Sequence, residues 1–194
     1  MREGPIAFTK EMCAAIFAGH KKQTRRIFKG EAYGDFECIC TVEKGLSKNL
    51  LNRWGAMFCS DFGAGFKMRS FDPSPYGGPG DRLWIKTGYY KDAPKTPSGR
   101  RYIPPMFCKR DRSPGTLEVV GLRLERLQSI TEADAQEEGL SHEPCGWFVP
   151  GNAKTGAPTA VECFSQLWDS INGEKYPWES NSLVWVVEFK LLGP

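Results

Sequence analysis

Apolar residues alternate with other residues along the end of the chain, over residues 182–192. This period of two predicts a β-strand with one face in the core. The alternating residues are Leu183, Trp185, Val187, Phe189 and Leu191. Two other segments have strand patterns: 82–87, with Leu83 and Ile85 on one face, and the longer 116–127. Within the latter, Gly121 is a candidate β-bulge.

Three helices are predicted, each preceded by a threonine that can accept a backbone N–H: Thr9, Thr131 and Thr159. Gly19 ends the first helix, 10–18, and Gly139 ends the second. Helical spacing predicts that 159–171 turns one apolar face to the core. That face consists of Phe164, Leu167, Trp168 and Ile171.

The remaining segments have weaker patterns. Residues 49–58 are predicted as a short helix, 62–80 as a loop dense in Gly and Pro, and 88–115 as a basic, proline-rich loop. The order of helices and strands favours a mixed α/β sheet or barrel over a parallel βαβ fold. A length of 194 residues suits one domain, 1–194.

Composition narrows the class of protein. Hydrophobic residues make up 40% and aromatic residues 12% of the chain, which argues against global disorder. No apolar run is long enough to span a bilayer, and the N-terminus lacks a signal-peptide pattern. The seven cysteines are irregularly spaced and odd in number, so reduced thiols in a cytoplasmic protein are predicted. The alternative is a zinc site formed by Cys38, Cys40, Cys59 and Cys108.

Charge is unevenly distributed, although the net charge is only +3. Residues 1–30 carry seven Lys and Arg against two acids, and 82–112 carry nine against two. Residues 131–194 carry three Lys against ten acids. Two basic segments in an otherwise acidic chain indicate a polyanion partner if they converge, and two solvated loops if they do not. Neither His20 nor His142 has an identifiable partner for a catalytic triad.

Several motifs resemble those of ASCH domains, in particular the longer ASCH proteins of bacteriophages and prophages. The similar stretches cover most of 5–30 and 79–192, which leaves 31–78 as an inserted segment. The motifs are Gly19-x-Lys21-x-x-Thr24-x-Arg26, Gly80-Asp81-Arg82-Leu83-Trp84, Thr116 to Val119, Glu125 to Gly139, Phe164 to Asn172 and Val184 to Phe189.

The resemblance implies an α+β fold, a PUA-like β-barrel with flanking helices, and binding of RNA. Some small relatives remove the acetyl group from N4-acetylcytidine with a Lys, a Thr and a Glu. By position these are Lys21, Thr24 and Glu138. Two stretches depart from the longer phage relatives. Lys86-Thr87-Gly88-Tyr89 stands where Arg-Glu-Thr-Trp is common, and 106–113 lacks the usual His and Trp.

Residue chemistry is compatible with such a reaction. Thr24 is a weak nucleophile that needs an adjacent base, and the basic neighbours of Lys21 favour its neutral form. Glu138 could carry a proton to a leaving amine, and Arg25 or Arg26 could hold a carbonyl oxygen or a phosphate. The alternative is purely structural: Lys21 and Arg25 bind phosphate, Thr24 caps a turn and Glu138 neutralises a helix end.

Aromatic residues interleaved with cations can stack bases. The candidates for binding nucleic acid or substrate are Lys22, Arg25, Arg26, Arg82, Lys86, Tyr89 and Tyr90. No cofactor or metal is predicted. The leading hypothesis is a binder of RNA or of a modified nucleoside or nucleotide that hydrolyses an acyl amide. Its rival is a non-catalytic phage module that binds RNA or a nucleotide, or acts on a host protein. A metal-dependent ribonuclease ranks third, since a compact acidic cluster is missing.

Overall fold

The computed structural model describes residues 1–30, 38–44, 54–61, 66–92 and 98–193, with the backbone alone described for 38–44, 57–61, 66–71 and 152–155. The helices are α1 (Lys10–Phe17), α2 (Glu132–Glu137) and α3 (Ala160–Asn172). The strands are β1 (Glu3–Ala7), β2 (Gln23–Ile27), β3 (Cys38–Lys44), β4 (Trp54–Asp61), β5 (Phe66–Pro73), β6 (Arg82–Lys86), β7 (Tyr89–Asp92), β8 (Arg100–Ile103), β9 (Thr116–Arg126), β10 (Ser141–Glu143), β11 (Gly146–Val149), β12 (Asn152–Ala157) and β13 (Leu183–Gly193).

Five strands form the central sheet, in the order β1-β6-β9-β13-β2. β1 is parallel to β6, and the other neighbours are antiparallel. The three strands predicted from the sequence therefore lie side by side in one sheet. The register between β9 and β13 shifts where Glu188 faces Gly121 and Phe189 faces Val119. This shift confirms the predicted bulge at Gly121.

Both faces of β13 are buried, which explains why the strand is apolar at nearly every position. Trp185, Val187 and Phe189 belong to a core with α1 and β6. Val184 and Val186 face a second core that includes α3. An inner strand covered on both sides is expected to lose the polar half of its alternation.

The helix caps predicted from the sequence are confirmed. The Thr9, Thr131 and Thr159 side chains each accept a backbone hydrogen bond at the start of a helix, and Thr131 with Asp134 forms a full capping box. Phe164 and Trp168 are buried, as expected. Ile171 is not, because it lies at the end of α3, where 55% of its surface remains exposed. No helix in the described part of the chain is long and apolar enough to cross a bilayer.

The segment 31–78 contains an antiparallel sheet, β3-β4-β5. The helix predicted for 49–58 is wrong over 54–58, which belong to β4, while 49–53 lie outside the described residues. The loop predicted for 62–80 contains β5. Pairing with neighbouring strands satisfies the backbone here, and local patterning does not reveal such partners. The segment also packs on the main fold, because Ala56 is fully buried in the first core.

The basic stretch 88–115 is more ordered than the predicted loop. β7 and β8 form an antiparallel hairpin, followed by single 3-10 turns at Pro105–Phe107 and Arg110–Arg112. A further sheet, β10-β11-β12, lies beside α3.

β1 and β2 are the two edges of the central sheet. Among the described residues no hydrogen-bonded ladder joins them. The Arg26 guanidinium on β2 donates to the Ala7 carbonyl on β1. The fold is therefore mixed α+β, with a mostly sheet core and few helices. Among the described residues no closed barrel is detected, so the PUA-like barrel stays a prediction. The β2 edge matters because the candidate site lies along it.

Candidate functional site

Lys21 and Glu138 meet in the interior although they are 117 residues apart in sequence. Their backbones form an isolated β-bridge. The Lys21 Nζ donates to the Glu138 Oε2 at 2.8 Å and to the Glu138 carbonyl oxygen at 2.6 Å. Both side chains are almost completely buried. The turn after α1 and the end of α2 thus place an amine and a carboxylate in direct contact.

Gly139 makes this approach possible. Its φ is +92°, in the left-handed region that favours glycine. A Cβ at this position would lie 2.9 Å from the Cβ of Lys21 and 3.3 Å from the Cβ of Ala15. The glycine predicted as a helix stop therefore also provides the space that Lys21 needs to reach Glu138.

Arg25 holds the Glu138 carboxylate from the other side. Its side chain is fully buried, and its Nη1 donates to the Glu138 Oε1 at 3.2 Å. Its Nη2 donates to the Glu125 Oε1 at 2.6 Å and lies 3.4 Å from the Asp134 Oδ2. One guanidinium thus contacts three carboxylates: Glu125 on β9, Asp134 within α2 and Glu138 just after α2. With its terminal nitrogens engaged in this way, Arg25 does not match the predicted phosphate binder.

A second arginine extends the network outward. Arg123 bonds to Glu125 at 3.0 Å, to Asp134 at 2.8 Å and to Glu188. Gln23 donates to the Asp134 carbonyl at 2.6 Å. Sequence reasoning missed these residues. A usable signal was present, because Arg123 and Glu125 are opposite charges two positions apart on one face of a strand.

Burial is the main influence on the amine. It lowers the pKa of Lys21, and this effect outweighs the Glu138 carboxylate, which raises it; the charges of Arg26 and Arg25 lower it further. The direction agrees with the prediction from sequence. The cause differs, since desolvation contributes more than the neighbouring cations.

A cavity of about 310 Å³ borders this pair. Lys21, Thr24 and Glu138 all line it, so the three residues proposed for catalysis share one cavity. Thr24 is 3% exposed. Among the described hydrogen bonds, none joins the Thr24 hydroxyl to the Lys21 amine, which is bonded to Glu138 instead. Catalytic hydrogen bonds often form only once a ligand is bound.

The wall opposite β2 comes mainly from α3. Phe164, Leu167 and Trp168 provide apolar surface there, and Asn172 and Tyr176 add polar groups. The helical spacing of these α3 residues predicted a role in the core alone. Phe164, Leu167 and Trp168 do pack in the core, and they also line the cavity.

Tyr76 and Lys29 close another side of the cavity. Burial raises the pKa of the Tyr76 phenol, and the charge of Arg26 opposes that rise. Arg26 lies with its guanidinium carbon 5.1 Å from the centre of the Phe8 ring. Sequence reasoning missed Tyr76 because it lies in the segment that was set aside as an insertion.

The other predicted binding residues lie away from this cavity. Lys22 is exposed and uses its backbone to contact β13 and α2. Arg82 is exposed opposite Glu118, and the Lys86 Nζ donates to the Met106 carbonyl at 2.7 Å. Tyr89 and Tyr90 line a separate cavity of about 440 Å³. The predicted binding residues therefore divide between this cavity, which Arg25 and Arg26 line, and positions elsewhere.

The two basic segments do touch each other. β1 and β6 are paired, the Lys10 ammonium lies 5.2 Å from the centre of the Tyr90 ring, and Arg110 bonds to Glu3. Tyr90 and Tyr102 are 59% and 48% exposed, with ring centres 5.4 Å apart. Lys91, Lys109 and Arg112 border the same separate cavity. We call the set Lys10, Tyr90, Lys91, Tyr102, Lys109 and Arg112 the basic aromatic surface.

The described cysteines differ in exposure. Cys13, Cys108 and Cys163 are buried and Cys145 is exposed. In the described residues no group of three His, Cys, Asp or Glu side chains is placed to hold a metal ion. The side chains of Cys38, Cys40 and Cys59 lie outside the described residues, so the zinc alternative is tested only for Cys108.

Neither protein-family models nor curated proteins nor solved structures show a significant match.

Proposed function

We propose that this chain is an ASCH-type domain with a PUA-like β-barrel and flanking helices, and that it hydrolyses an acyl amide on a cytosine nucleoside or nucleotide. The observation that carries the proposal is the 2.8 Å contact between the Lys21 Nζ and the Glu138 Oε2 in the wall of a cavity that Thr24 also lines. Two motifs that are far apart in sequence thus contribute Lys21, Thr24 and Glu138 to one cavity, as the proposed reaction requires.

The reaction begins when Lys21 is neutral. The Thr24 hydroxyl attacks the amide carbon and its proton passes to the Lys21 amine. That proton then moves through the Glu138 carboxylate to the amide nitrogen, the C–N bond breaks and the amino nucleoside leaves. Water attacks the Thr24 ester and gives one proton, through Glu138, to the Thr24 oxygen. The products are a carboxylic acid and the free amino group.

The cavity suits a nucleobase. Its volume of about 310 Å³ lies at the small end of the range for ligand sites. Phe164 and Trp168 provide flat apolar contacts, and Asn172 provides an amide for the polar edge of a base. Arg25 and its three carboxylates carry a net formal charge of −2, which disfavours a phosphate beside this network.

The direct test is removal of the nucleophile. Thr24→Val replaces the hydroxyl by a methyl group of similar size, so we expect kcat/KM to fall by on the order of 10³-fold or more. Chromatography of N4-acetylcytidine and longer N4-acylated cytidines, with no added metal, provides the assay. Thr24→Ser is the matched control and should retain measurable activity. Full activity in Thr24→Val would exclude an acyl-threonine intermediate.

Failure of the unmodified protein to release cytidine from any of these substrates at high protein concentration would remove the hydrolase. The non-catalytic binding module would then be the better account, and its ligand would be sought in the same cavity by titration with the unreacted nucleosides.

A second candidate function, RNA binding, is favoured by the basic aromatic surface. Its tyrosines are exposed and its cations are interleaved with them, an arrangement that suits stacking of bases and contact with phosphates. The proposed RNA contact therefore moves from Lys21, Arg25 and Arg26 to the basic aromatic surface. Lys21 and Arg25 are buried and paired with carboxylates. The two functions are compatible, since the surface can hold RNA while the cavity receives one base.

Changing Lys91 and Lys109 together to Ala should weaken the binding of single-stranded RNA. It should also make the slope of log K against log salt shallower by about 1.4. The loss of two phosphate contacts means that fewer counterions are released when RNA binds. Fluorescence anisotropy at several salt concentrations measures both quantities. The control is Lys175→Ala with Lys190→Ala, which removes the same charge from exposed positions elsewhere. Equal slopes for the two double variants would rule out this surface.

A further inference from the structure

A second cavity, of about 380 Å³, lies on the other side of the Lys21–Glu138 contact. Its lining is largely apolar, with Ala15 from α1, Leu140 after α2, and Val149 and Pro150 from the end of β11. Thr9 and Glu11 are the polar residues at the start of α1 that border it. The proposed hydrolysis uses none of these side chains.

The two cavities adjoin each other. They share four lining residues: Met12, Glu138, Leu167 and Ile171. Glu138 therefore lies at the boundary between a polar cavity that suits a base and an apolar cavity with no role in binding that base. An amide substrate has the same division, since its nitrogen carries the base and its carbonyl carbon carries the acyl chain.

We infer that the second cavity holds the acyl chain of the substrate, and that the preferred substrate carries an apolar acyl group longer than acetyl. This inference rests on the proposed function. An acetyl group ends within reach of Glu138 and leaves the second cavity unfilled, whereas a chain of four to six carbons enters it and buries its methylenes against Ala15, Leu140 and Leu167. The specificity of the site then comes from the acyl side as well as from the base.

The expected result is a rise in kcat/KM from N4-acetylcytidine to N4-butanoylcytidine to N4-hexanoylcytidine, by about fourfold for each added methylene that becomes buried. A hydrolysis rate that is flat or falls along this series would overturn the inference while leaving the hydrolase intact. Release of cytidine from the acetyl compound alone would do the same.

Filling the second cavity provides a variant that leaves the proposed catalytic residues in place. Glu11 is exposed at the start of α1 and lies close to the turn at Gly151, where an added Cβ would come within 3.3 Å of the Glu11 Cγ. Glu11→Trp should therefore cover the cavity, abolish the preference for hexanoyl and leave acetyl hydrolysis within about twofold. Ala14→Trp, on an exposed position of the same helix outside both cavities, is the matched control and should keep the preference.

A binding measurement tests the inference even if the protein releases no cytidine at all. Calorimetric titration with the acetyl and hexanoyl nucleosides should then show tighter binding of the hexanoyl compound in the unmodified protein and in Ala14→Trp, but not in Glu11→Trp. Equal affinities in all three proteins would exclude an acyl cavity. The proposed function therefore fails on cytidine release, and the acyl cavity fails on chain-length dependence.

Discussion

Lys21→Met is expected to lower kcat/KM for the best N4-acylated cytidine by about 10³-fold, because it removes the base that accepts the Thr24 proton. Methionine matches the length of the buried stem and brings no charge. The Glu138 carboxylate keeps its contact with Arg25 in this variant, so one ionic partner remains. Steady-state kinetics over the acyl series, with circular dichroism as a check of the fold, measures the effect.

The pH dependence of activity tests the same role of Lys21 as a base. A base acts only when unprotonated, so activity of the unmodified protein should rise with pH, and the rise should occur below the ordinary lysine range because burial lowers the pKa of Lys21. Lys21→Arg is the matched control, since it keeps a positive charge beside Glu138 but does not deprotonate. A Lys21→Arg variant with normal activity and a normal rising limb would show that Lys21 is not the base.

Arg25→Met should destabilise the protein by about 3 kcal/mol, because the buried Glu138 carboxylate loses one of its two ionic partners. The guanidinium contacts Glu138, Glu125 and Asp134, and its side chain has no exposed surface. Urea denaturation followed by fluorescence measures the free energy of unfolding. Activity should also fall in the fraction that remains folded, since Arg25 holds one oxygen of the Glu138 carboxylate.

Arg123 provides a matched control within the same network. It too contacts three carboxylates, but 33% of its side chain is exposed, so water can replace the lost contacts. Arg123→Met should therefore cost about 1 kcal/mol or less. Equal losses of stability in the two variants would contradict the view that burial, rather than the number of ion pairs, makes Arg25 important.

Salt and water affect the basic aromatic surface and the cavity in different ways. Phosphate contacts at an exposed surface depend on free cations and weaken with salt. The Lys21–Glu138 pair depends on exclusion of water, which strengthens its electrostatic interactions. The sequence places both kinds of cation in basic segments, and burial alone distinguishes them. Salt dependence of RNA binding without salt dependence of nucleoside hydrolysis would be consistent with this division.

Local sequence determined the features whose hydrogen bonds are local. The Thr131 and Asp134 pair caps α2 whatever the rest of the chain does, since both partners lie within one turn. The alternation in β13 and the extra residue near Gly121 are likewise properties of short segments, and both are present in the structure. These features placed three strands of the central sheet and the start of each helix.

Only the tertiary structure decided the edges of the sheet and the content of the site. β2 consists largely of polar residues and becomes a strand because β13 provides its hydrogen-bond partners. Arg25 belongs to a run of cations that is typical of a solvated or anion-binding segment, yet it is buried because Glu125 and Glu138 arrive from 100 and 113 residues further along the chain. Spacing in sequence cannot show such meetings, since they depend on how separate strands and helices pack.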